Sequence, residues 1–80
     1  MNVEVRLHGS LTAARPGLRA GDPFSVGVPE DATISDLAAR LSLLPGEIHL
    51  VMVNGRAVDD RKAPLAEGDR VGLFPPVGGG

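Results

Sequence analysis

The chain has 80 residues, no cysteine, 8 Lys and Arg against 10 Asp and Glu, and a formal net charge of -2. A chain of this size makes one small domain that buries only about 60% of its unfolded surface. Without cysteine it forms no disulfide, iron–sulfur cluster or zinc knuckle, so regular helix and sheet packing must hold it together.

Interspersed charge and only two phenylalanines offer neither a phosphate-tracking stripe nor a base-stacking platform, which argues against nucleic acid as a partner. No apolar run is long enough to span a bilayer. The opening "MNVEVRLHG" alternates too strictly for a secretion signal, and a soluble, cytoplasmic domain is expected.

Val3, Val5 and Leu7 recur at period two with Glu4 and Arg6 between them, which predicts a half-buried strand closed at Gly9. A second strand is expected at "FSVGV", with Phe24, Val26 and Val28 on one face. The intervening Gly9 to Pro23 stretch is rich in Gly, Pro and Arg, and admits one helical turn over Ser10 to Arg15, capped by Ser10 and closed before Pro16.

A clearer helix begins at Thr33, with Asp36 placed for a capping box and favourably near the positive helix start. Ile34, Leu37, Ala38 and Leu41 fall at i, i+3, i+4 and i+7 and form one apolar stripe. Asp36 and Arg40 occupy the far face, and Pro45-Gly46 is expected to stop the element.

"IHLVMV" reads as an interior strand, and Asn54-Gly55 is the turn pair suited to positive backbone angles. A brief return strand is predicted over Arg56 to Val58, then an irregular connection with a turn at Gly68-Asp69. The last strand, "RVGLF", sends Val71 and Leu73 to one face and Phe74 to the other. Two strands, a helix and two or three further strands favour a right-handed crossover and an α+β domain with a mixed sheet.

Catalytic groups are scarce. His8 and His49 are far apart in sequence and lack a cysteine or paired carboxylate at ligand spacing, so hydrogen-bonded or surface imidazoles are expected. Ser10, Ser25, Ser35 and Ser42 have no nucleophile-elbow context, and Asp59-Asp60 and Glu30-Asp31 read as solvated turn acids. No glycine-rich segment lies between a strand and a helix as a phosphate cradle requires. No self-contained active site is visible.

Attention moves to "LFPPVGGG". A carboxylate on glycine has no Cβ beside it, so it can enter a narrow tunnel. The six residues from Pro75 to Gly80 can reach about 20 Å when extended. Pro75-Pro76 would hold the root of that thread straight. Phe74, just before it, reads equally as a docking residue or as cover for a second small core.

"NGRAVDDRKAPLAEGDRVGLFPPVGGG" resembles the C-terminal third of the MoaD/ThiS sulfur carriers, "ATISDLAARL" their helix and "VEVRL" their first strand. Residues 9–23 lie outside the resemblance. "GDRVGLFPPVGGG" is its most specific part and is closer to the small subunit of molybdopterin synthase than to the thiamine-pathway carrier.

The resemblance implies a β-grasp, ubiquitin-like fold of four to five strands over residues 1–74, with a flexible tail over 75–80. It also implies that an ATP-using, E1-like enzyme adenylates the Gly80 carboxylate, and that a sulfur donor displaces AMP to leave a thiocarboxylate. The sulfur then passes to a pterin precursor in the large synthase subunit. Gly78 and Gly79 would thread the tail, although Gly78 departs from the small non-glycine residue common there. Phe74, Pro75, Pro76 and Val77 would dock the partner. The chain would need no cofactor or metal of its own, catalysis residing in its partners. A carrier for thiazole or another thio-metabolite, a ubiquitin-like modifier joined to a lysine, and a noncovalent binding module are the alternatives.

Overall fold

The computed structural model describes residues 1–77. Its strands are β1 (Asn2–Leu7), β2 (Pro23–Gly27), β3 (Leu50–Val53), β4 (Arg56–Ala57) and β5 (Arg70–Phe74), with one α-helix, α1 (Ile34–Arg40), between β2 and β3. They make a single mixed sheet in the order β2-β1-β5-β3-β4. β1 pairs antiparallel with β2 and parallel with β5, and β3 pairs antiparallel with β5 and β4. This is the expected α+β β-grasp architecture, with the last strand in the middle of the sheet.

The core follows from period-two alternation in the strands and the apolar stripe of the helix. Val3, Val5 and Leu7 of β1, Val51 of β3, and Val71 and Leu73 of β5 face Ile34, Leu37 and Ala38 of α1, all of them buried. Val26 and Val28 join them from β2 and its end, while Phe24 and Leu41 are only partly buried against the cluster.

Thr33 forms the predicted capping box: its Oγ1 accepts from the Asp36 N–H at 3.2 Å, and the Asp36 carboxylate accepts from the Thr33 N–H at 2.9 Å. The next two free donors of the helix start are taken by the following loop, Ile34 N–H donating to Ala63 O and Ser35 N–H to Arg61 O. Because the loop already meets part of the need, Thr33→Ala should lower the unfolding free energy by about 1 kcal/mol, no more. Urea unfolding with an unchanged m-value checks this.

Three local expectations are corrected. The turn after β1 is a 3-10 helix over Gly9–Ala14 in which His8, not Ser10, holds the N-cap position without a side-chain cap. Thr12 instead donates to Gly9 O at 2.9 Å. The α-helix ends at Arg40, before Pro45-Gly46, because Ser42 adopts φ 60°. Leu43 N–H then reaches Ala38 O and Ser42 N–H reaches Ala39 O, the paired bonds of a Schellman ending, with Leu43 buried behind them. Pro45-Gly46 opens a short 3-10 turn, Pro45–Glu47. Finally, His49 precedes the third strand rather than lying within it, and His8 follows the first.

Asn54 and Gly55 carry φ 52° and 83°, the predicted pair of positive angles, between β3 and β4. The Asn54 side chain ties this turn to the one before β5, donating to Asp69 Oδ1 at 2.9 Å and accepting from Arg70 N–H at 2.9 Å.

Candidate functional site

The face of the sheet away from the helix is open. Strand parity places Arg6, Arg70, Gly72, Phe74 and Met52 on it, opposite in sense to Leu7, Val71, Leu73 and Val51. Together with His8, Asn54 and Gly55 they line a shallow concavity of about 400 Å³. Its floor is apolar, from Met52, Gly72 and Phe74, and Arg6 and Arg70 stand at its rim as exposed cations. Arg6 is partly engaged already: its Nε lies 3.6 Å from Glu4 Oε2.

Phe74 is half-buried and does not belong to the main core, whose partly buried neighbours include Phe24, Leu41 and Val53. It lies under His8, the rings parallel to within 7° and their centroids 4.2 Å apart. It also lies over the bare backbone of Gly72, where a Cβ would sit 3.3 Å from Phe74 Cε1 and 3.7 Å from Met52 Cβ. Phe74 thus packs outside the main core, between His8, Gly72 and Met52, and stays half-buried.

Sequence reasoning missed His8, Arg6, Met52 and Arg70 as neighbours of Phe74. The signal was present in the parity of "VRLHG", since Arg6 and His8 alternate with buried Leu7. The parallel pairing that sets Leu7 beside Leu73 was the missing step.

The two histidines, far apart in sequence, flank the end of β5 from opposite sides through their backbone amides. His8 N–H donates to Leu73 O at 3.1 Å, and His49 N–H donates to Phe74 O at 2.8 Å. The end of β5 is therefore held from both sides, Leu73 O by the amide that follows β1 and Phe74 O by the amide that precedes β3. Pro75 beyond it is half-buried, and Pro76 and Val77 are exposed, Val77 to 84%. Gly78, Gly79 and Gly80, the threading and activation residues of the sequence reading, lie outside the described residues. Among the described residues no three His, Cys, Asp or Glu side chains gather as a metal would require, and no helix is long and apolar enough to cross a membrane.

The model of the ThiS family matches residues 19–80, well over half of the sequence. The chain belongs to the ThiS family. None of the curated proteins matches it. Among solved structures, this ThiS-family chain is similar to small archaeal modifier protein 1 of H. volcanii, with 26% identity, 95% of this chain and 98% of that chain covered, and a TM-score of 0.72. It is also similar to a chain in the complex of subunits 1 and 2 of the molybdopterin-converting factor from Helicobacter pylori, at 28% identity over 100% of both chains and a TM-score of 0.62. The ubiquitin of Caldiarchaeum subterraneum, 20% identical over 100% of this chain and 98% of its own with a TM-score of 0.58, shares the fold.

Proposed function

We propose that this ThiS-family chain is a sulfur carrier whose working group is the Gly80 carboxylate and whose recognition surface is the open sheet face ending in Phe74. The observation that carries the reading is the position of the C-terminal segment. It leaves the central strand beside an exposed, half-apolar concavity, so a partner gripping that face receives the tail at the same time.

A free carboxylate is a poor electrophile. An E1-like enzyme using ATP would make the acyl-adenylate, and a sulfur donor would displace AMP to give a thiocarboxylate, a nucleophile at neutral pH. Residues 75–80 act as the tail, with Gly78 and Gly79 slim enough to thread and Phe74, Pro75, Pro76 and Val77 in contact with the partner. The molybdopterin-converting relative supports a large synthase subunit as sulfur acceptor, with catalysis in the partner.

Likeness to a small archaeal modifier protein favours one second reading, in which the activated glycine is joined to an amine of another protein. The two share the activation step and differ in the acceptor. Incubating the activated chain with a molybdopterin synthase large subunit separates them. Sulfur passed to the pterin precursor supports the carrier, whereas isopeptide-linked products in cell extract with no such transfer support the modifier.

Docking gives a separate expectation. Phe74→Ala removes the largest apolar contact of the face without opening the core. It should weaken binding to the adenylating enzyme at least about tenfold by titration calorimetry, as expected for an interface anchor. An unchanged affinity would place the docking surface elsewhere.

A further inference from the structure

We propose that His8 and Gly9 are positioning residues: as a pair they fix the direction in which the chain leaves the sheet after Phe74, and so aim the glycine end. This rests on the reading that an enzyme acts on Gly80.

β1 stops at Leu7, one residue before its register reaches Phe74; His8 stays extended, and Gly9 opens the 3-10 turn beside the end of β5. His8 covers the Phe74 ring at 4.2 Å while its N–H binds Leu73 O. Gly9 then turns at φ +54°, and its bare Cα faces Pro75. A Cβ built there would lie 2.8 Å from Pro75 Cγ, closer than real Cβ atoms come, and 3.4 Å from Pro75 Cδ. The proline ring is thus seated against a backbone that only glycine leaves open.

Seating matters because the ring also fixes φ at about -65°. Once the ring is placed, the course of Pro76 and Val77 depends on few remaining torsions. Proline has no N–H to continue the ladder, so packing on Gly9 takes over where hydrogen bonding ends. On the other side, His49 N–H holds Phe74 O. The tail root is therefore gripped by groups that are not in the tail. Enzymatic attack is sensitive to such aim, since misplacing a reacting group by about 1 Å can reduce rate on the order of a hundredfold.

The test pairs Gly9→Ala with Pro75→Gly and has two readouts. The first needs no enzyme. Residual dipolar couplings of the β1 and β5 amides should be unchanged in Gly9→Ala, while that of the Val77 amide changes; His8→Ala should move the same coupling. An unaltered Val77 coupling in both variants overturns the clamp.

The second readout is labelled pyrophosphate exchange with the adenylating enzyme of the same organism. Gly9→Ala should lower kcat at least about tenfold with KM for the carrier within about twofold, because Phe74 and the sheet face keep their place and only the residues after Phe74 are misdirected. In the Pro75→Gly background the same substitution should have no further effect, since it acts through the proline ring. An equal loss in both backgrounds means that Gly9 serves only the fold, and contradicts the proposal. If the wild-type chain supports no exchange at all, the carrier reading fails, while the Val77 coupling still decides whether the clamp exists.

Discussion

Deleting Gly80 is expected to leave the domain folded and to abolish its loading with sulfur. Removing one residue draws the terminal carboxylate back by about 3.5 Å along an extended thread. Acyl transfer requires the reacting atoms within about 3–3.5 Å of one another, and an error of about 1 Å is already worth on the order of a hundredfold in rate. Adenylation of the shortened chain should therefore fall by at least about a hundredfold, although Gly79 would still present a glycine carboxylate. Stability should not follow, because the core is closed by Leu73 and none of the described residues after it belongs to it. Thermal unfolding and pyrophosphate exchange measured side by side check both halves. Retained exchange would remove Gly80 from the mechanism, and a lowered unfolding temperature would mean that the tail is part of the fold.

Leu73→Ala should have the opposite pattern, with a large loss of stability. Leu73 is fully buried on the central strand, beside Leu7 on one side and Val51 on the other. Truncating such a leucine removes about 2–5 kcal/mol, and a site walled by strands on both sides has little freedom to collapse into the cavity. We expect about 3–4 kcal/mol, against a total of roughly 4–12 kcal/mol for a domain of this size. In a small domain that corresponds to a fall in Tm of roughly 15–25 °C. Leu44→Ala supplies the control: that side chain is 68% exposed and its loss should stay within about 0.5 kcal/mol. A Leu73→Ala loss below about 1 kcal/mol would contradict the central placement of β5.

These two residues stand seven positions apart, Leu73 in the folded core and Gly80 at the proposed site of loading. The fold was largely readable. Alternation at Val3, Val5 and Leu7 and again at Val71 and Leu73 gave strands and their buried faces, and Thr33 with Asp36 gave the helix start. Each signal is local, spanning one or two turns of chain.

The exceptions have physical causes. The helix stops early because Ser42 takes a left-handed conformation that is uncommon for a residue with a Cβ, so Pro45-Gly46 drew attention as the stronger stop. The parallel pairing of β1 with β5 joins segments more than sixty residues apart and leaves no period in either. The site depended on that pairing. Phe74 was found from its place before Pro75-Pro76, but its cover by His8 and the seat of Pro75 on Gly9 exist only once the two strands are side by side. A lone histidine at the end of a strand gives no such hint.

Whether the last glycine carries sulfur can be read from the intact mass of the chain. The chain is incubated with its adenylating enzyme, ATP and a sulfur donor, then weighed whole and after removal of the C-terminal peptide. The expected result is the mass gained when one oxygen is exchanged for sulfur, located in the terminal peptide and absent without ATP. An unchanged mass under every such condition, with the adenylating enzyme active on another carrier, would contradict it.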